Sequence, residues 1–496
     1  MVLSLLVLTL PLGCGDDGGT ADSGSSDSGI VDSGAVDSAY DGAARDTGPL
    51  YPHELPASAD LGTDRRGYTV ARSIIHLHSP LSHDACDGQD TLEEATGVAS
   101  AECLEQFRYG LCAAHIDVAM LTDHAPYVNE LPFEELLSAQ PGDELIRDES
   151  GAVIASLITC PGDGHQVMLT LGSENELMPV GLRRHVLVGA DADALNEAYD
   201  AVGAEASDAF REAGALVLKN HPEEDSVAEL GAMGLDGIEI FNLHASLDPR
   251  TRENLLGLNG ADYIAETLIF LDRRRSLAPD LLFLSFFEVS DAYGLRWDGL
   301  IADGQDIVGV AGTDAHQNAF SQIMNDGERV DSYRRMMRWF SNHLLIDGDL
   351  TPDSIHDALE RGRLYVAYEA FGSPVGFDFH AALDAATFEM GDDAPVGATL
   401  RVTRPSLPAD HPQDPAPSIR MRILRSAPAG AVEVAAGDGA TLEYVATEAG
   451  SYRAEVFIVP EHTRPFLDGR GDMLIHERPW VQSNHVRVVV APAPVP

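Results

Sequence analysis

The chain has 496 residues, 44% of them hydrophobic and 6% aromatic, with 32 basic against 80 acidic side chains and a net charge of −48. That length leaves room for two or three domains of roughly 150 residues each around a large core. A surface so acidic repels phosphodiester polymers, which excludes nucleic acid as the first choice of partner.

The opening "MVLSLLVLTLPLGCGDD" has the length of a secretory apolar segment and is too short to span a bilayer, so it reads as an export signal. Its "LPLGC" resembles a bacterial lipobox, which would make residues 1–14 a lipoprotein-type signal peptide and Cys14 the lipidated residue. Pro11, and the lack of basic residues before the apolar run, depart from that pattern. The expected location is the cell envelope, on the periplasmic or outer-membrane face, with simple secretion as the alternative. Residues 15–50 repeat Asp, Ser and Gly, with Asp22, Asp27, Asp32 and Asp37 in a five-residue rhythm. Such a tract buries too little apolar area to offset chain entropy and is expected to be a disordered tether.

Residues 51–370 are expected to form an α/β barrel, because β-branched runs alternate with helical patterns. "YTVARSIIHLH" alternates as a strand, "TLEEATGVASAECLEQFRYGLCAA" as a helix and "IDVAMLTDH" as a strand; "ALVLKNHP", "LDGIEIFN" and "DIVGVAGTDAH" repeat the strand pattern. From 371 to 496 short alternating strands lie between Pro and Gly turns, the pattern of an antiparallel β-sandwich. Cys86, Cys103, Cys112 and Cys160 allow two disulfides in an exported chain, with the pairing open. There is no C-x-x-C pair to favour a thiolate zinc site.

The chemistry is written at strand ends. His76 and His78 alternate onto one face, so two imidazoles can reach one ion. His124, Glu174, His185, His221, Asp314 and His316 each follow or end another predicted strand. In barrels of alternating strands and helices those ends converge, which brings the side chains to one pocket. Imidazoles and carboxylates without thiolates suit zinc, manganese or iron.

The ordered set H-L-H, T-D-H, G-S-E, R-H-V-L-V, N-H-P and G-T-D-A-H resembles the PHP family, the polymerase-and-histidinol-phosphatase metal-dependent phosphoesterases, over roughly residues 66–370. The resemblance implies a distorted barrel of about seven strand–helix units and two or three divalent ions. His76, His78 and Asp314 would hold one, with Glu174 bridging to a second on His185 and His221. His124 and His316 would hold a third, completed by His83, the favoured choice, or Asp84. Asp123 is expected to orient His124. Glu174, Asp314 and His316 stand as the catalytic residues, and a metal-bound hydroxide would hydrolyse a phosphate ester of a small molecule. Lys219, the sole lysine, and Arg183 and Arg184 are candidates for the substrate phosphate; Asn242 and His244 are candidates for the mouth of the site, with turn hydrogen bonding the favoured role for Asn242. An amidohydrolase-like barrel cleaving C–N or ester bonds is the alternative enzyme, and a surface-binding lipoprotein without catalysis is the third reading.

Overall fold

In the computed structural model, residues 51–62, 66–88, 100–124, 127–260 and 262–490 are described. The expected signal peptide, Cys14 and the tether lie outside them. The first nine strands, in chain order, are β1 (Tyr68–Leu77), β2 (Val118–Leu121), β3 (Glu144–Arg147), β4 (Val153–Thr159), β5 (Gln166–Gly172), β6 (Met178–Leu182), β7 (Leu216–Lys219), β8 (Gly237–Asn242) and β9 (Val308–Ala315).

Seven of them close into a ring: β1 pairs β2, then β5, β6, β7, β8 and β9 follow, and β9 returns to β1. Every neighbour in the ring is parallel except β6, which runs antiparallel to both β5 and β7. The mixed α/β expectation is met as a closed barrel, but one strand is reversed. Two hairpin strands, β3 and β4, lie between β2 and β5, and β4 shares the β5 edge with β6. Alternate residues point into the barrel and fill it: Ile75, Met120, Met168, Val180, Leu218 and Val310 belong to one buried cluster. The helix Pro352–Glu360 closes this cluster with Ile355, Ala358 and Leu359. The interior is packed, so reactive groups can gather only at its open end.

Beyond the ring the strands are β10 (Ser341–Asp347), β11 (Leu364–Ala367), β12 (Asp378–Leu383), β13 (Ala386–Phe388), β14 (Asp393–Pro395), β15 (Thr399–Thr403), β16 (Ser418–Arg425), β17 (Val432–Gly437), β18 (Thr441–Val445), β19 (Gly450–Val459), β20 (Arg478–Ser483) and β21 (Val486–Val489). The amino half of β1 pairs β10 antiparallel, and the sheet continues through β11, β20, β19, β16 and β17. A separate antiparallel sheet has the order β13-β12-β15-β18. The position expected as a boundary, 371, is bridged by the β11–β20 pairing. Asn484 fastens the same region to β9: its side-chain carbonyl accepts from Gly309 N and its amide donates to Gly309 O, both at 2.9 Å. The disulfides are Cys86–Cys103 and Cys112–Cys160. Among the described residues no helix is long and apolar enough to cross a membrane.

Candidate metal centre

The chain breaks regular strand geometry where it needs to turn ligands inward. In β1 the register with both β2 and β9 shifts just before Leu77, and His76 takes the left-handed φ of 63°. His221 (φ 43°) and Asp314 (φ 50°) do the same after β7 and near the end of β9. Left-handed backbone at non-glycine residues costs energy and persists where packing enforces it, a habit of functional sites. Gly312 is the enabling residue in β9, because a Cβ there would lie 1.8 Å from Glu239 Oε1.

Glu174 is the hub. Its Oε2 lies 3.0 Å from His76 Nε2, 2.9 Å from His78 Nε2 and 3.2 Å from His124 Nε2, and its Oε1 lies 3.4 Å from His221 Nε2. Asp314 is the second hub. Its Oδ1 is 3.4 Å from His76 and 3.3 Å from His316 Nε2, and its Oδ2 is 3.1 Å from His221 Nε2 and 3.4 Å from His244 Nδ1. The ligand atoms of His76, His78, Glu174 and Asp314 all lie within 4.8 Å of one another, as do those of His78, His124, Glu174 and His316.

The outer faces of the rings settle which nitrogen looks inward. His76 Nδ1 donates to Glu239 Oε1 at 2.6 Å, and His124 Nδ1 donates to the Glu174 carbonyl at 3.1 Å. Ser82 Oγ gives its proton to Asp84 Oδ1 (2.6 Å), so it accepts from His78 Nδ1 (3.2 Å). Three imidazoles therefore spend Nδ1–H outward and turn Nε2 lone pairs toward carboxylate oxygens. His76 Nε2, His78 Nε2 and Asp314 Oδ1 are buried and make no hydrogen bond. Lone pairs converging on lone pairs without a donor need a cation between them, and this donor set fits divalent ions.

In the metal-free chain protons take that place. Burial opposes charge on His76, but the carboxylates of Glu174, Asp314 and Glu239 hold its pKa well above the usual value. Burial likewise opposes charge on His78, yet Asp84, Asp314 and Glu174 raise its pKa to about 10. Glu174 and Asp314 lie well below the carboxylate range because the imidazoles outweigh their burial. His316 is pushed down to about 4 by burial and by His78.

Several expected residues fall elsewhere. His185 follows β6, the reversed strand, and is carried away: its Nε2 donates to Leu131 O (3.0 Å) and its Nδ1 faces the Tyr199 hydroxyl (3.1 Å), so neither nitrogen is in the cluster. Arg183 pairs with Asp353, and Arg184 donates to Glu212 O at 2.6 Å, at the end of a helix. Lys219 is buried, 3.4 Å from Glu176 and 3.6 Å from Asp225, because the left-handed turn at His221 breaks the alternation that would have aligned the two. Of the pair at 83 and 84, Asp84 reaches the cluster, 2.9 Å from His316 Nε2 and 3.4 Å from His124 Nε2, while the exposed His83 ring stacks beside His124. Asp123 does not hold His124; it accepts from Ser79 N and Oγ at 2.5 and 2.6 Å and fixes the turn after β1.

Sequence reading missed Glu239, Asn220 and Glu223. Glu239 is fully buried, receives His76 Nδ1, His221 N and Asn242 Nδ2, and so positions two ligands. Asn220 Nδ2 donates to Glu174 Oε1 at 2.8 Å, and Glu223 accepts from the Tyr293 hydroxyl beside His221. The acid inside the apolar run "GIEIFN" was the available signal, since an unpaired carboxylate is not buried in a strand. Asn242 caps the following helix by accepting from Ala245 N at 2.9 Å, and His244 stands at the rim.

No family model matches the chain, and no curated protein matches it by sequence. Among solved structures it is similar to a two-domain protein from Bacteroides vulgatus containing a predicted PHP-like metal-dependent phosphoesterase, at 12% identity, covering 88% of this chain and 100% of that one, with a TM-score of 0.32. It is also similar to the lesion-specific endonuclease PfuEndoQ from Pyrococcus furiosus, at 12% identity, covering 65% of this chain and 64% of that one, with a TM-score of 0.30. Likeness at that level carries no argument about activity, which has to come from the cluster's own side chains.

Proposed function

We propose that the chain is a metal-dependent hydrolase of the PHP type that cleaves a phosphate ester at this cluster. The observation that carries the reading is the convergence of three Nε2 lone pairs on Glu174 Oε2 within 3.2 Å. His76, His78, Glu174 and Asp314 would hold one ion, and His124, His316 and Asp84 with Glu174 another; His221 and His244 flank Asp314 on the open side. Divalent ions bound there would activate water near neutral pH and draw charge from the phosphoryl oxygens.

The chain's own groups set the geometry. His76 and His78 are fully buried and form the floor, whereas His124, Asp84, His244 and His221 keep 20 to 34% of their side chains accessible and form the rim. A substrate therefore approaches the cluster over the rim. Glu239 keeps His76 in the tautomer that offers Nε2, and Asn220 fixes Glu174 so that the hub does not rotate away. The amidohydrolase alternative is weaker because such sites use a bridging lysine, and Lys219 is engaged with Glu176 and Asp225.

The test is hydrolysis by the full chain loaded with zinc or manganese, offered phosphomonoesters, phosphodiesters and amides beside Glu174→Gln. Phosphoester turnover that falls on the order of a thousandfold in the variant supports the reading. Turnover of amides alone would move the chain to the alternative class.

A further inference from the structure

The resemblance put an ion on His185 and His221 with Glu174, and the reversed β6 takes His185 out of reach, its nitrogens facing Leu131 O and the Tyr199 hydroxyl. The other donors are still in place around His221. Glu174 Oε1 lies 3.4 Å from His221 Nε2, and Asp314 Oδ2 lies 3.1 Å from the same nitrogen. Each hub carboxylate thus keeps one oxygen, Glu174 Oε2 or Asp314 Oδ1, among the floor histidines and turns its other oxygen toward His221.

His244 stands beside that pair. β8 and β9 are parallel neighbours with Asn242 opposite Gly312, so the residues two further along each chain, His244 and Asp314, come level at the open end. His244 Nδ1 lies 3.4 Å from Asp314 Oδ2, the oxygen that also faces His221, and ligand atoms of His244, Asp314 and His316 all fall within 4.8 Å of one another. Donor atoms bonded to one zinc at about 2.0 to 2.2 Å sit roughly 3.3 to 3.6 Å apart at tetrahedral angles. Separations of 3.1 and 3.4 Å from Asp314 Oδ2 therefore need little adjustment to share an ion.

The ring is also held in this direction. Asn242, which caps the short helix carrying His244, donates to Glu239, the carboxylate that receives His76 Nδ1 and His221 N. The His244 ring stacks on that of His316, with centroids 4.9 Å and planes 20° apart. Among the described residues its imidazole makes no hydrogen bond. Fixing a rim side chain against a buried carboxylate costs rotamer entropy, which an ion between the two offsets.

We propose that His244 is a metal ligand: through Nδ1 it takes the place expected for His185, on an ion shared with His221 Nε2 and Asp314 Oδ2 at the open edge of the cluster. The inference rests on the metal-dependent reading above and adds an ion to the two assigned there. Three protein donors leave a coordination position for water or substrate. The partly accessible side chains of His244 and His221 put that position on the side from which substrate arrives.

The test counts ions on the zinc-equilibrated full chain, wild type beside His185→Ala and His244→Ala. The expected counts are three, three and two. A His244→Ala chain that matches wild type overturns the proposal, and so does a His185→Ala chain that loses an ion. Cobalt(II) titration of His244→Cys reads the bond itself, because a thiolate on cobalt gives a near-ultraviolet charge-transfer band. That band, in excess of wild type, supports the assignment even where the alanine variant fails to fold, and its absence from a folded variant overturns it. Ester turnover is measured separately. If no ester is hydrolysed while the counts stand at three, three and two, the phosphoesterase reading fails and His244 remains a ligand; a wild-type chain that binds no ion overturns both.

Discussion

Asp280, Asp326 and Glu328 bring carboxylate oxygens as close together as the Glu174 cluster does, within 4.8 Å, yet their surroundings are of another kind. Arg334 Nη2 donates to Asp280 at 2.7 Å and its Nε to Glu328 at 2.8 Å, while Arg335 Nη1 donates to Asp280 at 2.6 Å and its Nη2 to Asp326 at 2.8 Å. Guanidinium groups stay charged at any pH a protein survives and carry only donors, so this acidic group is neutralised without an ion. Around Glu174 and Asp314 the counter-groups are imidazoles, which can release protons and present lone pairs. Close carboxylates alone do not make a metal site; the chemistry of what faces them decides.

The comparison is broken hardest on the arginine side. Arg335→Met leaves Asp280 and Asp326 short of a buried partner and is expected to cost about 3 kcal/mol in urea unfolding, with the number of bound ions unchanged. On the histidine side Glu239→Gln leaves one amide oxygen, and an added NH2 donor, where two carboxylate oxygens had accepted from His76 Nδ1, His221 N and Asn242 Nδ2, so the hold on the His76 tautomer is weakened. It is expected to weaken zinc binding by about 10- to 100-fold in competition titrations, with a smaller loss of stability. The two variants thus separate cost in folding from cost in binding.

The smallest effect is one of pH. The folded-state pKa of His78 is raised to about 10 from an ordinary 6.5, so the stabilisation it supplies to the metal-free chain is complete below pH 6.5 and is lost as pH rises through about 10. The melting temperature of the metal-free chain is expected to fall across that window, and saturating zinc, which takes the place of the protons, is expected to remove the fall. The arginine group contributes nothing to this slope, because its cations do not titrate there.

Much of the centre was legible because the barrel gathers strand ends. His76, His78, His124, Glu174, His221, Asp314 and His316 all follow or close strands that run toward the open end, and each could be found from its place after an apolar run. Strand direction was not legible. The run before His185 looks like the run before His221, but β6 is reversed, and nothing in a five-residue strand records its orientation. The choice between His83 and Asp84 turns on a one-residue difference in a loop, which depends on the hydrogen bonds from Ser82 and the pairing of Cys86 with Cys103. Glu239 left a signal, an acid within an apolar run, but its role could not be read from it. It sits inside a strand, and its role exists only because Gly312 on the neighbouring strand leaves room for it.

The central claim is that Glu174 and its ring of imidazoles hold divalent ions. Equilibrium dialysis of the metal-stripped full chain against zinc or manganese, followed by elemental analysis, tests it most directly. The account predicts at least two ions per wild-type chain and a loss of at least one in Glu174→Gln. A wild-type chain that retains no more metal than the variant would contradict it.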